Sequence, residues 1–267
     1  MKRGSSPPAS TIGVYYTDAA EKKRARRIAA ELSLPLTTDP SAFDLFLGWQ
    51  DAMLTLFMRD TSPKPVGVSV DFVGGHTGYR RKHPRRELLL KAVGFRAAAP
   101  PFVLDATGGL GRDAFLMAER GCRVHIIERN PIVGYLLADG LRRAAGHPET
   151  RTAAGRIELS IRDSRMFLTA ERNSAEKYQV IYLDPMYPTR RKTALAGKEM
   201  RLLQRLLGKN EDADQLLAAA LQTGVERVVV KRPKRSQFLG DTMPSHSITG
   251  STTRFDIYLI PRMERKD

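Results

Sequence analysis

An acidic residue, a proline and an aromatic residue follow a short apolar run near the middle of the chain. Asp184 and Pro185 come directly after Val180–Leu183, and Tyr187 follows two positions later. An exocyclic amine of a nucleobase is a poor nucleophile because its lone pair is delocalised into the ring. The Asp184 carboxylate and the Pro185 carbonyl could draw on its protons, while the Tyr187 ring stacks on the base. The segment favours methyl transfer to a base amine, although Asp-Pro is also an ordinary turn start.

A glycine-rich segment precedes this loop and has the element order of a nucleotide-binding turn. Phe102–Leu104 predicts a strand, and a helical pattern begins just after the glycines. Glycines let the backbone approach a ligand, and the following helix N-terminus is electropositive. The spacing fits an S-adenosylmethionine site better than a dinucleotide site. Its residues are Asp105, Thr107, Gly109 and Gly111.

Two further predicted strands also end in polar residues. Glu128 closes a second apolar run about 20 residues past the glycine turn, where an acid accepts hydrogen bonds from ribose hydroxyls. Asp163 and Ser164 follow a third strand. They could meet an adenine amino group or cap the helix that starts near Arg165, and the two roles are compatible.

The composition describes a soluble globular protein of 267 residues, with 42% hydrophobic and 27% charged residues. No apolar run approaches the roughly 20 residues that a membrane helix needs. Cys122 is the only cysteine, which excludes an internal disulfide and a cysteine-based metal cluster. The five histidines lack ligand spacing, so no metal site is predicted. Together these features point to the cytoplasm.

The charge balance predicts a polyanionic partner. Lys and Arg exceed Asp and Glu by 44 − 29 = 15, and the pI is about 10.2. Two of three basic clusters follow predicted strands, so they should lie beside the candidate site and hold phosphates. The clusters are Arg80, Arg81, Lys82, Arg85 and Arg86; Arg190, Arg191 and Lys192; and Lys231, Arg232, Lys234 and Arg235.

The order of patterns predicts two domains. Residues 1–79 contain a strand, an amphipathic helix over residues 18–32 and three more strand-like runs, which indicates a small α+β domain. Residues 80–267 alternate strands and helices, which indicates an α/β domain with a mostly parallel sheet. Two strands around Gly250-Ser251 are predicted to form an antiparallel hairpin at the C-terminal end of the domain, a feature that is typical of class I methyltransferases.

Several joined motifs resemble the RsmJ family, the small-subunit (16S) ribosomal RNA guanine-N2 methyltransferases. They are residues 105–115, 128–131, 182–188, 198–201, 228–233 and 254–258, in order over most of residues 80–260. The resemblance implies a Rossmann-like class I fold with a seven-stranded sheet, S-adenosylmethionine as cofactor, and 16S ribosomal RNA or the small subunit as partner. It also implies cofactor contacts at Arg112, Asp113, Glu128, Arg129, Asp163, Ser164 and Asp184. Asp163 stands where the family would have serine.

The resemblance and the residues together suggest a role for each group. Arg112 would pair with the methionyl carboxylate, and Asp184 would accept a hydrogen bond from guanine N2 and receive its proton. Tyr187 would stack on a base that is unpaired or flipped out. The cations expected to grip the RNA backbone are Arg190, Arg191, Lys231 and Arg232.

Three alternatives remain open from the sequence. A nicotinamide-dependent oxidoreductase would share the fold, but it gives no reason for the Asp184-Pro185 loop or its flanking arginines. A non-catalytic RNA-binding assembly factor would keep the basic face and need no cofactor. A methyltransferase for adenine N6, in DNA or RNA, would use the same loop chemistry.

Overall fold

The computed structural model of the protein describes residues 11–59, 66–74, 78, 88–170, 177–185, 194–208 and 212–261. The strands are β1 (Ile12–Tyr15), β2 (Leu36–Thr37), β3 (Leu45–Gln50), β4 (Met53–Met58), β5 (Val66–Ser69), β6 (Phe102–Asp105), β7 (Arg123–Glu128), β8 (Ile157–Ile161), β9 (Val180–Leu183), β10 (Arg227–Pro233), β11 (His246–Thr249) and β12 (Thr253–Leu259). The α-helices are α1 (Ala19–Leu32), α2 (Leu88–Ala92), α3 (Arg112–Glu119), α4 (Pro131–Ala145), α5 (Arg151–Ala154), α6 (Ser164–Ala170), α7 (Ala194–Leu207) and α8 (Ala213–Leu221).

The chain forms two compact units whose bounds differ from the predicted domains. One unit comprises residues 1–70 and 189–209, and the other comprises residues 71–188 and 210–267. The first unit therefore ends before the predicted boundary at residue 79 and gains a segment from far along the chain. The reason is tertiary packing, because α7 packs against β5.

The first unit contains a mixed five-stranded sheet in the order β2-β1-β3-β4-β5. β1 runs parallel to β2 and β3, whereas β3, β4 and β5 are antiparallel neighbours. Helix α1 begins where Asp18 accepts a hydrogen bond of 2.9 Å from the Glu21 amide, as an N-cap does. The side of α1 that carries Ala25, Ile28 and Ala29 is buried. Ser33, in the left-handed conformation, ends the helix.

The second unit contains a seven-stranded sheet in the order β11-β12-β10-β9-β6-β7-β8. The five strands from β10 to β8 in that order are parallel, and β12 is antiparallel to both β10 and β11. This arrangement confirms the predicted α/β class, the mostly parallel sheet and the closing hairpin. No described helix is both long and apolar enough to cross a bilayer.

The order of the central strands determines where a ligand can bind. β6 lies between β7, which follows it along the chain, and β9, which comes after β8. The connections therefore leave β6 and β9 toward opposite sides of the sheet, which opens a crevice at their carboxyl ends. Asp105, Glu128 and Asp184 stand at or just past the ends of β6, β7 and β9, so all three lie at this edge.

Candidate active site

The glycine turn after β6 is pressed against β7. The Gly108 amide donates a 3.0 Å hydrogen bond to the Ile127 carbonyl. A Cβ atom at position 108 would lie 2.4 Å from the Ile126 Cγ2 atom, so only glycine fits without displacement. Gly109 and Gly111 have φ angles of 53° and 68°, and Gly111 directly precedes α3. The turn therefore brings bare backbone and a helix N-terminus to the crevice.

Glu128 is held rigidly beside this turn. Its Oε2 atom accepts a 2.7 Å hydrogen bond from the Gly109 amide, and its Oε1 atom accepts one of 2.7 Å from the Asn130 amide. Burial raises the pKa of Glu128, while these amide donors oppose the rise. A carboxylate can accept about four hydrogen bonds, so the group can also accept from two neighbouring ribose hydroxyls.

Thr107 connects the same turn to Asp184. The Asp184 amide donates a 2.6 Å hydrogen bond to the Thr107 Oγ1 atom. Asp105 Oδ1 in turn accepts from the Thr107 amide over 3.0 Å and from its hydroxyl over 3.3 Å. Thr107 and Gly109 are only two residues apart, so one short turn contacts both Asp184 and Glu128. The two acids therefore belong to one edge of the sheet.

A lysine joins two carboxylates in this site. Lys231 Nζ donates to Asp113 Oδ2 over 2.6 Å and to Asp184 Oδ2 over 2.7 Å. The Tyr182 hydroxyl donates to the same Asp113 oxygen over 2.7 Å. Lys231 was expected to grip an RNA phosphate, but its ammonium group is engaged here by carboxylates. Its position follows from the strand register, in which Val230 of β10 is opposite Leu183 of β9.

Burial and repulsion between neighbouring carboxylates raise the pKa values of Asp105 and Asp184. The pKa of Asp105 is raised to about 7, chiefly by burial; the Thr107 hydrogen bonds oppose this rise, and the charges of Asp113 and Asp184 add to it. Burial likewise raises the pKa of Asp184, and Lys231 opposes that rise. Burial disfavours the charge of Lys231, but its two carboxylate partners hold the pKa of Lys231 well above its ordinary value. Lys231 therefore stays a cation and favours the ionised form of Asp184.

The pair expected near adenine makes contacts that stabilise the fold. Asp163 accepts a 2.8 Å hydrogen bond from the Arg165 amide at the start of α6 and forms an ion pair of 2.9 Å with its guanidinium. These hydrogen bonds lower the pKa of Asp163. The buried Ser164 hydroxyl donates to the Ala106 carbonyl over 2.6 Å and so fastens α6 to the end of β6. The capping role is therefore present, and contact with adenine stays a prediction.

Two arginines expected at the cofactor differ in their surroundings. Arg129 pairs with Asp212 over 2.5 Å, and Arg165 Nη1 lies 3.3 Å from the same carboxylate. This pairing links the end of β7 to the residue before α8. Arg112 is the first residue of α3 and is partly exposed, so its role toward the methionyl carboxylate stays a prediction.

The last basic cluster is divided between surface and interior. Lys234 and Arg235 are exposed, as phosphate contacts require. Arg232 is only 7% exposed, and its guanidinium donates to Ser236 Oγ over 3.2 Å and to the Gln237 carbonyl over 2.7 Å. Arg232 was expected to be a surface cation that contacts RNA, but in the structure its guanidinium is buried and binds the loop that follows β10.

Some predicted residues lie outside the described part of the chain. They are Tyr187, Arg190, Arg191 and Lys192, and the cluster of Arg80, Arg81, Lys82, Arg85 and Arg86. Pro185 is described and is buried beside Asp184. Within the described residues, no group of His, Cys, Asp and Glu could hold a metal ion.

The sequence analysis did not predict the hydrogen bonds that Tyr182 and Lys231 make with the carboxylates of the site. Tyr182 counted only as part of an apolar strand, yet it lies two positions before Asp184, and such residues share one face of a strand. Lys231 directly follows a run of three valines, which was a signal that it lies at the carboxyl edge of the sheet.

These residues fit S-adenosylmethionine. The bare turn at Gly108 and Gly109 suits close contact with a nucleoside, and Glu128 offers acceptors for a diol. The carboxylates of Asp113 and Asp184 outnumber the single ammonium of Lys231 between them, and this excess negative charge suits a sulfonium cation.

Comparison with known proteins also indicates S-adenosylmethionine as the cofactor. A family model for SAM-dependent methyltransferases matches residues 27–260. A solved SAM-dependent methyltransferase from Neisseria gonorrhoeae is 36% identical, with a TM-score of 0.72 over 92% of this chain and 95% of the other. The cofactor is therefore S-adenosylmethionine.

Two curated relatives narrow the family further. A protein named ribosomal RNA small subunit methyltransferase J from Thioalkalivibrio sulfidiphilus is 45% identical over 93% of this chain and 97% of its own length. One of the same name from Pseudomonas fluorescens is 43% identical over 94% of this chain and 96% of its own length. The chain belongs to the ribosomal RNA small subunit methyltransferase J family of SAM-dependent methyltransferases.

Proposed function

We propose that the protein transfers a methyl group from S-adenosylmethionine to the exocyclic N2 amine of a guanosine in small-subunit (16S) ribosomal RNA. The names of its relatives support the RNA substrate. The observation that carries the base chemistry is the placement of Asp184. Its carboxylate follows β9 at the edge that carries the cofactor turn, and Thr107 ties its backbone to that turn.

Bound S-adenosylmethionine supplies an electrophilic methyl group on a sulfonium, whose bonding electrons pass to sulfur as the new bond to nitrogen forms. Asp184 accepts a hydrogen bond from one N2 proton, and the Pro185 carbonyl can accept the other. Both interactions increase electron density on the amine. In this way the site compensates for the delocalised lone pair.

Lys231 prepares Asp184 for this role. The Lys231 ammonium contacts Oδ2 of Asp184. Among the described residues no hydrogen bond to Oδ1 is present, so Oδ1 can accept a hydrogen bond from the guanine amine. The ammonium favours the carboxylate before reaction, because a protonated Asp184 would lose an acceptor. After transfer, the methylated nitrogen carries an extra proton. The raised pKa of Asp184 makes its carboxylate a suitable acceptor for that proton, which then passes to water.

The base must be unpaired or flipped out of its stack for the N2 amine to reach this site. Tyr187 would then stack on the extruded ring, and exposed cations such as Lys234 and Arg235 would hold neighbouring phosphates. The enzyme would act in the cytoplasm, where ribosomal subunits mature.

One labelling experiment separates the candidate functions. The protein is incubated with radiolabelled S-adenosylmethionine and unmodified small subunits, naked 16S RNA or DNA, and the product is digested to nucleosides. Label in N2-methylguanosine supports the proposal. Label in N6-methyladenine would show that the loop acts on adenine instead of guanine. The absence of label on any nucleic acid would favour a non-catalytic assembly factor.

A further inference from the structure

Helix α1 of the first unit presents a cationic face to solvent. Five of the six residues from 22 to 27 are Lys or Arg, and all five are exposed. They are Lys22, Lys23, Arg24, Arg26 and Arg27. The three basic clusters identified in the sequence did not include this helix, in which only the buried Ala25 interrupts the run of cations.

Helical geometry explains why these cations share one side. At about 100° per residue, Ala25, Ile28 and Ala29 point in a common direction, toward the core of the unit. The five cations then occupy roughly 200° of the opposite side, within about 8 Å along the axis. This density of positive charge matches the spacing of phosphates on a nucleic acid backbone more closely than the scattered cations of an ordinary soluble surface.

The stability of α1 does not account for this arrangement. Lys22 and Arg26, and likewise Lys23 and Arg27, are four residues apart, where like charges repel. The cations also begin in the first half of the helix, and the last turn holds no basic residue, although cations stabilise that end. The Glu21 carboxylate is engaged by the amide and hydroxyl of Thr17, each over 2.9 Å.

One of the five cations is held in place by an aromatic ring. The Arg24 guanidinium carbon lies 5.2 Å from the centroid of the Trp49 ring on β3. A cation–π contact of this kind orients the side chain. The face is therefore anchored to the sheet of its unit.

We infer that the exposed face of α1 is a docking surface for the phosphate backbone of the ribosomal RNA substrate. The inference rests on the proposed function for the identity of the RNA. Its contacts are electrostatic and independent of base sequence, since lysine and arginine on phosphates position a protein without reading bases. The surface would increase the affinity for RNA and leave the methyl-transfer step to the second unit.

A neutralised variant tests this surface. Glutamine is a good helix former, so it removes charge without breaking α1, and Arg24 is kept to preserve the Trp49 contact. The variant is Lys22→Gln, Lys23→Gln, Arg26→Gln and Arg27→Gln. A control with the same loss of charge alters exposed cations in the connections that lead into the amino ends of β6, β7 and β8, opposite the active-site edge. The control is Lys91→Gln, Arg96→Gln, Arg120→Gln and Arg151→Gln.

The dissociation constant for unmodified 16S RNA is measured over a range of potassium chloride concentrations, with kcat, KM and S-adenosylmethionine affinity. For the α1 variant we expect about 10- to 100-fold weaker RNA binding and a salt slope reduced by about 2 to 3. Its KM for RNA should rise while kcat and cofactor affinity stay unchanged. The control should keep a slope within about 1 of the wild type.

Other outcomes would overturn the inference. Unchanged RNA affinity and salt slope in the α1 variant would do so, as would an equal loss in the control, which would indicate general charge attraction. Normal RNA binding with lost binding to phosphatidylglycerol vesicles would assign the face to a membrane surface instead. If the wild type binds RNA through α1 but methylates no RNA, the docking surface stands and the proposed function fails.

Discussion

The amide of Asp184 donates a 2.6 Å hydrogen bond to the hydroxyl of Thr107. This bond fixes the start of the loop after β9 against the glycine turn after β6. Two residues after Thr107 in the same turn, the Gly109 amide donates a hydrogen bond to the Glu128 carboxylate. Because a single turn holds both acids, a displacement of the turn would disturb cofactor binding and base positioning together.

Replacing Asp184 with alanine should separate chemistry from cofactor binding. The hydrogen bond from the backbone amide of residue 184 to the Thr107 hydroxyl does not depend on the side chain, so the turn keeps its conformation. The base amine, however, loses its carboxylate acceptor. We expect kcat to fall by about 10²–10⁴-fold. Calorimetric affinity for S-adenosylmethionine should fall much less than kcat, because Glu128 and the glycine turn are unchanged. Near-normal turnover would refute the role of Asp184.

Lys231 should control the pH at which Asp184 becomes active. Replacing Lys231 with methionine removes the cation that lowers the pKa of Asp184, so a larger fraction of this carboxyl is protonated at a given pH. The acid limb of the kcat/KM profile should therefore move to higher pH, and kcat should fall. Lys231→Arg keeps the charge and should restore the position of the limb. A methionine variant that loses activity equally at every pH would indicate a role in folding alone.

Asp105 should make the protein less stable as pH rises. Its pKa is about 7 in the folded chain and near 4 in an unfolded one. Between these pH values the folded state holds a proton that the unfolded state has released, so stability falls until about pH 7 and then levels off. Asp105→Asn keeps an oxygen acceptor for Thr107 and removes the titration.

The stability gain from Asp105→Asn should therefore depend on pH. We expect little difference from the wild type near pH 4, and a free energy of unfolding higher by up to about 4 kcal/mol at pH 8. Thermal melting at the two pH values measures this difference. A gain that is equal at both would exclude a buried ionised Asp105 as its cause.

Gly108 should tolerate no side chain. A Cβ atom there would lie 2.4 Å from Ile126 Cγ2 and 3.1 Å from the Ile127 carbonyl oxygen. Gly108→Ala should destabilise the protein by about 1–3 kcal/mol and weaken S-adenosylmethionine binding. Gly146→Ala is the matched control, because its nearest neighbour would be 3.5 Å away and its φ of −82° suits alanine. Equal melting temperatures for the two variants would contradict the packing argument.

The local parts of the fold were predictable from the sequence. The apolar run, glycine turn and helical pattern around Asp105 are contiguous, so their structure follows from local preferences. The expected strand ends at Glu128 and Leu183 also match the structure. The acids after parallel strands could therefore be assigned to one edge of the sheet from the sequence alone.

The parts that depend on pairing between distant segments were not predictable. The contact of Lys231 with Asp113 and Asp184 needs the register of β10 on β9, which no local pattern specifies. The inclusion of residues 189–209 in the first unit depends on packing of α7 against β5. Similarly, nothing in the basic cluster distinguished the buried Arg232 from the exposed Lys234.

A crystal structure with S-adenosylhomocysteine, the demethylated product of the cofactor, tests the account most directly. The measurement is the position of the ribose hydroxyls and of the sulfur atom relative to Glu128 and Asp184. We predict that the hydroxyls donate to the Glu128 carboxylate and that the sulfur faces the side of the crevice that carries Asp184. A ribose bound away from Glu128, or a sulfur turned from Asp184, would contradict the shared crevice.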